Sequence, residues 1–295
     1  MSDDTLRRFR GDGVAPDGST VEGRGEKGRY LADDQLVAAV NTALVVEQPL
    51  LVTGDPGTGK TALAWAVATE LGMGEVLDFH TRSDHQAKDA LYEIDNLLRF
   101  YHAQVRDERA TNPENYLQWN ALGEAIRSTT RRLVLIDEID KAPRDFPNDL
   151  LDEIDQMEFR VPELQMKFRA TLRPIVIITS NSERQLPDPF LRRCVFHRIE
   201  FPVADRLQAI LEQRLGHLKL PERLSAAAVK RFEEVRAIPG LEKKPATGEL
   251  IAWVRVLKSL NVNVDAIERS ALKDLPSPGA LVKTEQDSRL LRSAG

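Results

Sequence analysis

Residues 49–61 read PLLVTGDPGTGKT, an apolar run that passes into a glycine-spaced loop and then into TALAWAVATEL, a segment rich in strong helix formers. The spacing G-x-x-x-x-G-K-[ST] falls on Gly54, Gly59, Lys60 and Thr61, and strand, glycine loop, helix is the context in which that spacing cradles phosphate. Glycines let the backbone curl until successive N–H groups face inward, and the start of the helix adds the positive end of its dipole. The stretch Gly54, Asp55, Pro56, Gly57, Thr58, Gly59, Lys60, Thr61 and Ala62 is therefore expected to hold a nucleotide, ATP with Mg²⁺. Lys60 would present an exposed ammonium to the β- and γ-phosphates, and Thr61 would offer its hydroxyl to the metal. The bland alternative, a glycine turn ahead of a helix, is disfavoured by the flanking elements.

Outward from this loop, 295 residues suffice for one large domain or two unequal ones. The 41 basic and 46 acidic residues leave a net charge of −5, so no global positive field indicates nucleic acid. The single cysteine, Cys194, excludes an internal disulfide framework. The N-terminus MSDDTLRRFR lacks the apolar core of a secretory signal, and no apolar run reaches the ~20 residues that span a bilayer. A cytoplasmic protein without a membrane span is the expectation.

Residues 1–29 are rich in glycine and charge and offer little to bury, which predicts a mobile tail. The apolar spacing after Asp33 predicts a helix to Val46, and Glu75 to Phe79 reads as a second strand. Helical patterning over Gln86 to Val105 and Tyr116 to Ser128 predicts a helical insert at about 80–128. LVLI (Leu133 to Ile136) and PIVIITS (Pro174 to Ser180) suit strands buried on both faces. Strands alternating with helices imply an α/β fold with a parallel sheet and a ligand site at the strand carboxyl ends. After Pro202 the strand signals stop, and Ala204 to Leu215, Ser225 to Ile238 and Thr247 to Leu260 read as helices. The expected division is 1–29, an α/β nucleotide-binding domain at 30–202 and a helical domain at 203–295.

LVLIDEIDK sets Asp137 and Glu138 at the end of a buried strand, where adjacent carboxylates are costly unless a cation or a reaction accounts for them. Asp137 is the candidate for holding Mg²⁺, and Glu138 for activating the water that attacks the γ-phosphate. Downstream, ITSN ends on Asn181, placed to hydrogen-bond the γ-phosphate or the attacking water, and LPDPFLRRC carries Arg192 and Arg193, able to stabilise transition-state charge on a neighbouring site. The five histidines show no metal-ligand spacing and read as surface or packing residues. Cys194 has no partner base in view and reads as structural.

Together GDPGTGKT, LVLIDEID, IVIITSN and LPDPFLRRC resemble the Walker A, Walker B, sensor 1 and arginine-finger elements of an AAA+ ATPase. The span LLDEIDQMEFRVPELQMKFRATLRPIVIITSN resembles the hairpin ahead of sensor 1, and with the insert it is similar to the MoxR-like branch. That resemblance, over roughly residues 30–260, implies a P-loop NTPase domain followed by a small helical lid, a homo-oligomeric ring of commonly six subunits, and ATP bound between subunits. It also implies Arg193 as the finger, with Arg192 a second donor or a solvated neighbour. The lid departs from the family pattern: KKPATGELIAWV stands where a sensor 2 arginine is usual, leaving Lys243, Lys244 or Thr247 as substitutes and Arg255 two turns inside the helix.

The resemblance implies ATP hydrolysis coupled to remodelling or maturation of a protein partner that the sequence does not identify. The alternative is a nucleotide-gated regulatory or defence switch. A nucleic-acid motor or a GTP-using restriction subunit fits less well, because Asn181 is followed by Ser182, Glu183 and Arg184 and no guanine-reading N-K-x-D occurs there.

Overall fold

The computed structural model describes residues 7–18 and 30–294. Asp33 caps the first helix by accepting from the Leu36 N–H at 2.8 Å. The chain runs through α1 (Asp34–Val46), β1 (Leu50–Thr53), α2 (Lys60–Leu71) and β2 (Leu77–His80). An excursion follows, made of β3 (Tyr92–Ile94), α3 (Asn96–Gln104), β4 (Leu117–Trp119) and α4 (Ala121–Arg127). The chain re-enters the sheet as β5 (Leu133–Asp137), leaves through α5 (Phe146–Asp149), α6 (Leu151–Gln156), β6 (Glu158–Val161) and β7 (Met166–Arg169), and returns as β8 (Ile175–Ser180), α7 (Asp188–Leu191) and β9 (Val195–Arg198). Helices α8 (Ala204–Leu215), α9 (Glu222–Arg236), α10 (Thr247–Ser259), α11 (Val264–Arg269) and α12 (Glu285–Ser293) complete it.

Five strands form one parallel sheet in the order β2-β5-β8-β1-β9. Its inner strands β5, β8 and β1 are largely apolar and buried because both faces are covered: Leu133 and Leu135 pack with Val52, Leu63 and Val67 on one face, while Val134 and Ile136 pack with Leu122, Phe146 and Ile178 on the other. This order sets β5, β8 and β1 side by side. The acidic pair after β5, Asn181 after β8 and the glycine loop after β1 therefore leave the sheet at neighbouring strand ends, where open α/β sheets hold their ligands.

Contacts divide the chain into two units. One runs through Asp55 and resumes over Gly59–Ile199; the other takes Pro56–Thr58 and the chain from Glu200 onward. The second unit is helical, with its own core around Leu211, Phe232, Trp253 and Leu281. Trp253 donates its indole N–H to the Pro276 carbonyl at 2.7 Å, and the buried Asp287 carboxylate accepts the Glu242 and Lys243 N–H groups at 2.8 and 3.2 Å. Among the described residues no helix is long and apolar enough to cross a membrane.

The excursion corrects the helices expected over Gln86 to Val105 and Tyr116 to Ser128, each of which is shorter and preceded by a strand. Tyr92–Ile94 pairs antiparallel with Leu117–Trp119, and Asp95 starts a new helix by accepting from the Leu98 N–H at 2.8 Å. Helix α4 approaches this hairpin so closely that a Cβ on Gly123 would lie 1.9 Å from the Leu91 carbonyl oxygen. In α3 the polar side is the packed one: Arg99 donates to the Ala110 carbonyl at 3.4 Å and His102 Nδ1 lies 2.8 Å from the Tyr116 hydroxyl. Its apolar side is open, with Leu97 80% and Phe100 61% exposed.

The expected tail is also corrected in part. Residues 1–6 and 19–29 lie outside the described residues, but residues 7–18 are held. Phe9 is buried and exchanges backbone hydrogen bonds with the Asn41 side chain at 3.0 and 2.8 Å. The buried Glu70 carboxylate accepts from the N–H groups of Arg10, Gly11 and Gly13 at 2.9, 3.1 and 2.8 Å. Charge-assisted bonds to a desolvated carboxylate are the strong kind. Replacing Glu70 by Ala is expected to lower the unfolding free energy by about 2 kcal/mol in urea denaturation, and to accelerate hydrogen exchange at Arg10, Gly11 and Gly13.

Candidate active site

The glycine loop owes its path to backbone that side chains resist: Gly54, Gly57 and Gly59 have φ of 149°, 76° and 92°. A Cβ on Gly59 would also lie 3.1 Å from the Tyr30 ring. Lys60, the first residue of α2, is not the exposed ammonium expected from sequence. It is 6% exposed, and its Nζ donates to the Gly54 carbonyl at 2.7 Å and the Asp55 carbonyl at 2.9 Å. Burial lowers its pKa, against the opposing pull of Asp140, Asp137, Asp55 and Glu138. A loop of inward-curled glycines closed by a desolvated cation has the chemistry to receive a polyphosphate.

Asp137 ends β5 and is buried. Its carboxylate accepts from three sides. Thr61 Oγ1 lies 3.1 Å from Oδ1, Thr179 Oγ1 lies 2.5 Å from Oδ1, and His80 Nδ1 lies 3.2 Å from Oδ2. The other nitrogen of His80 lies 3.2 Å from Asp78 Oδ2. His80, read from sequence as a surface or packing residue, thus touches the carboxylate proposed for the metal. No cluster of three or more histidine, cysteine or acidic side chains suited to a metal occurs among the described residues. Mg²⁺ is typically held by one or two protein oxygens together with substrate phosphates and water; the Thr61 hydroxyl and the Asp137 carboxylate, 3.1 Å apart, are the oxygen donors that would hold it.

Glu138 follows in the left-handed region, φ 57° and ψ 50°. One of its carboxylate oxygens meets Lys141 Nζ at 2.6 Å and the other meets Asn181 Nδ2 at 3.0 Å. Burial pushes its pKa up, but the hydrogen bonds from Lys141 and Asn181 outweigh this and hold it below the ordinary glutamate value. Asn181 is fixed in turn, because the buried Asp140 carboxylate accepts the N–H groups of Asn181 and Glu183 at 3.2 and 2.9 Å.

Lys60, Thr61, Asp137, Glu138 and Asn181 are thereby brought together, and Arg192 and Arg193 are not among them. Both arginines are exposed; Arg193 Nε pairs with Asp155 at 2.6 Å and its guanidinium reaches the Pro189 carbonyl at 3.4 Å. Within the helical unit, Lys243 and Lys244 are exposed, whereas Thr247 opens α10 with its hydroxyl buried and without a hydrogen-bond partner. Cys194 is largely buried, and that burial pushes its thiol up to about 12, as a structural cysteine requires. Sequence reading missed Thr81, Thr179, His80 and Lys141. One signal was present: Thr179 lies only two residues before Asn181 in the ITSN stretch that ends the buried run.

Residues 50–203 match the sequence profile of the ATPase family associated with various cellular activities (AAA). No curated protein matches the chain. A solved structure of a RuvB mutant from Thermotoga maritima is similar at a TM-score of 0.45 and 14% identity, covering 79% of this chain and 70% of that one.

With the loop as a phosphate cradle, Lys60→Ala is expected to abolish nucleotide binding in titration calorimetry while the circular dichroism spectrum stays that of the native fold. Unchanged affinity would remove the basis of the site.

Proposed function

The chain belongs to the AAA family of ATPases, and from the geometry of its site we propose that it hydrolyses Mg-ATP at interfaces between copies of itself, coupling turnover to the remodelling or maturation of a protein partner. The observation that carries this reading is the convergence of Lys60, Thr61, Asp137, Glu138 and Asn181 at neighbouring ends of one parallel sheet. Lys60 and the loop N–H groups would hold the phosphates, and Thr61 and Asp137 would hold Mg²⁺, whose charge would offset that of the phosphates. Glu138 takes the proton of the attacking water, and Asn181, already bonded to that carboxylate, orients it. The hydrogen bonds that hold Glu138 below its ordinary pKa keep it ionised, as this role requires, while lowering its basicity.

Arg193 supports a site shared between copies. It is exposed and paired with Asp155, away from the five converged residues, so its guanidinium lies at the surface of the fold and would exchange that pair to reach another copy. The antiparallel hairpin β6–β7 ahead of β8 and the excursion between β2 and β5 favour the MoxR-like branch, with its chaperone-like work on proteins. A nucleotide-gated switch is the second reading, favoured by the engagement of both Glu138 oxygens by Lys141 and Asn181, so that one of these bonds must be exchanged before the carboxylate meets water.

Glu138→Gln is expected to keep Mg-ATP affinity and lose most turnover, because the amide keeps the shape but cannot accept the proton. Equal loss of binding in this variant and in Asp137→Ala would show that both carboxylates serve the metal. The shared site is tested by mixing: Arg193→Ala and Lys60→Ala are each inactive alone, the former losing roughly 10³ to 10⁵ in rate. A co-assembled mixture recovers activity at interfaces where an intact loop meets an intact arginine. A mixture with verified subunit exchange that stays inactive overturns the shared site and leaves Arg193 to act within its own chain or in packing only.

A further inference from the structure

Thr179 lies in β8, is fully buried, and has one hydroxyl that serves two partners. It accepts the Glu138 backbone N–H at 2.9 Å and lies 2.5 Å from Asp137 Oδ1. A hydroxyl has one proton to give and lone pairs with which to accept. Since the Glu138 N–H can only donate and the carboxylate accepts, the hydroxyl proton goes to Asp137. The two acidic residues are thus joined through a single side chain from the neighbouring strand.

The left-handed turn at Glu138 gives this link its consequence. A non-glycine residue at φ 57° needs its backbone held. Thr179 holds the N–H of Glu138, and on the other side the Thr81 hydroxyl bonds the Glu138 carbonyl as well as that of Asp137, the latter at 3.1 Å. The Glu138 carboxylate meets the side chain of Asn181, which follows Thr179 by two residues, just past the end of β8. Strand β8 and the residue that follows it therefore fix the backbone of the acidic pair with Thr179 and the carboxylate of its second member with Asn181.

We propose that Thr179 is a positioning residue that sets the Asp137 carboxylate for the metal and the Glu138 turn for the attacking water at the same time. This rests on the ATPase reading, and it goes beyond it by assigning a role to a buried hydroxyl that touches neither substrate nor metal. Residues that orient a metal ligand through a hydrogen bond typically contribute 10–100-fold in metal affinity or activity.

The experiment compares the full chain with Thr179→Val, which keeps the shape and removes the hydroxyl, and Thr179→Ser, which keeps the hydroxyl. Binding of a fluorescent ATP analogue is measured in Mg²⁺ and in EDTA, alongside kcat and KM. In Thr179→Val the gain in affinity that Mg²⁺ confers falls about tenfold and kcat falls about 10–100-fold, while affinity in EDTA, set by the Lys60 loop, is unchanged. Thr179→Ser stays within about threefold of the native protein on both measures, short of the loss typical of an orienting group. A Thr179→Val protein that retains the Mg²⁺ gain and turnover overturns the proposal, as does Thr179→Ser being as impaired as Thr179→Val. If Thr179→Val does not fold, Thr179→Cys takes its place and must fall below Thr179→Ser on both measures. A native protein that binds no nucleotide overturns the ATPase reading itself, an outcome the native arm distinguishes.

Discussion

A carboxylate without water is the constraint around which the first unit is arranged. Asp137 ends the second strand of the sheet, buried and able only to accept hydrogen bonds, and an uncompensated charge in that position would cost several kcal/mol. Its donors come from three different elements: Thr61 from α2, His80 from β2 and Thr179 from β8. They can meet it only if β2 and β8 flank β5 and if α2 starts beside the strand ends. Strand order, the placement of the helix after the glycine loop and the tolerance of a buried anion are one condition seen from three sides.

The surrounding charge follows the same logic. Lys60 is a single desolvated ammonium whose electrostatic neighbours are Asp140, Asp137, Asp55 and Glu138. Negative charge is in excess there, so a polyphosphate entering alone would meet repulsion, and one entering with a divalent cation brings its own compensation. Lys141 offsets part of the excess by pairing with Glu138, and Asp140 is occupied by two backbone N–H groups. The acids are therefore specialised by their donors and not by their residue type.

Much of this was legible in the sequence because it is local. Leu50–Thr53, Leu133–Asp137 and Ile175–Ser180 announce themselves as short apolar runs, and the glycine spacing, the acidic pair and Asn181 each stand at the end of one. What failed was non-local. QAKDALYEIDNLLRFYHAQV has an apolar rhythm compatible with one long helix, yet Tyr92–Ile94 is recruited by Leu117–Trp119, more than twenty residues on. The glycine-rich start offers few apolar residues, and what holds Arg10, Gly11 and Gly13 is a carboxylate on α2, 57 to 60 residues away. His80 and Thr81 carry no motif; only the pairing of β2 with β5, which sets His80 beside Asp137, reveals them.

The left-handed backbone at Glu138 sets two selection pressures against each other at one codon. Conformation alone favours glycine or asparagine there and penalises β-branched residues most, while the proposed role in hydrolysis calls for a carboxylate on a side chain long enough to meet Asn181 and Lys141. A non-glycine residue in such a conformation costs of order 1–3 kcal/mol, which the surrounding fold supplies. Position 138 is consequently a place where sequence drift toward greater stability and sequence drift toward loss of catalysis run in the same direction. Substitution tolerance measured by folding and by turnover would rank the amino acids there in nearly opposite orders.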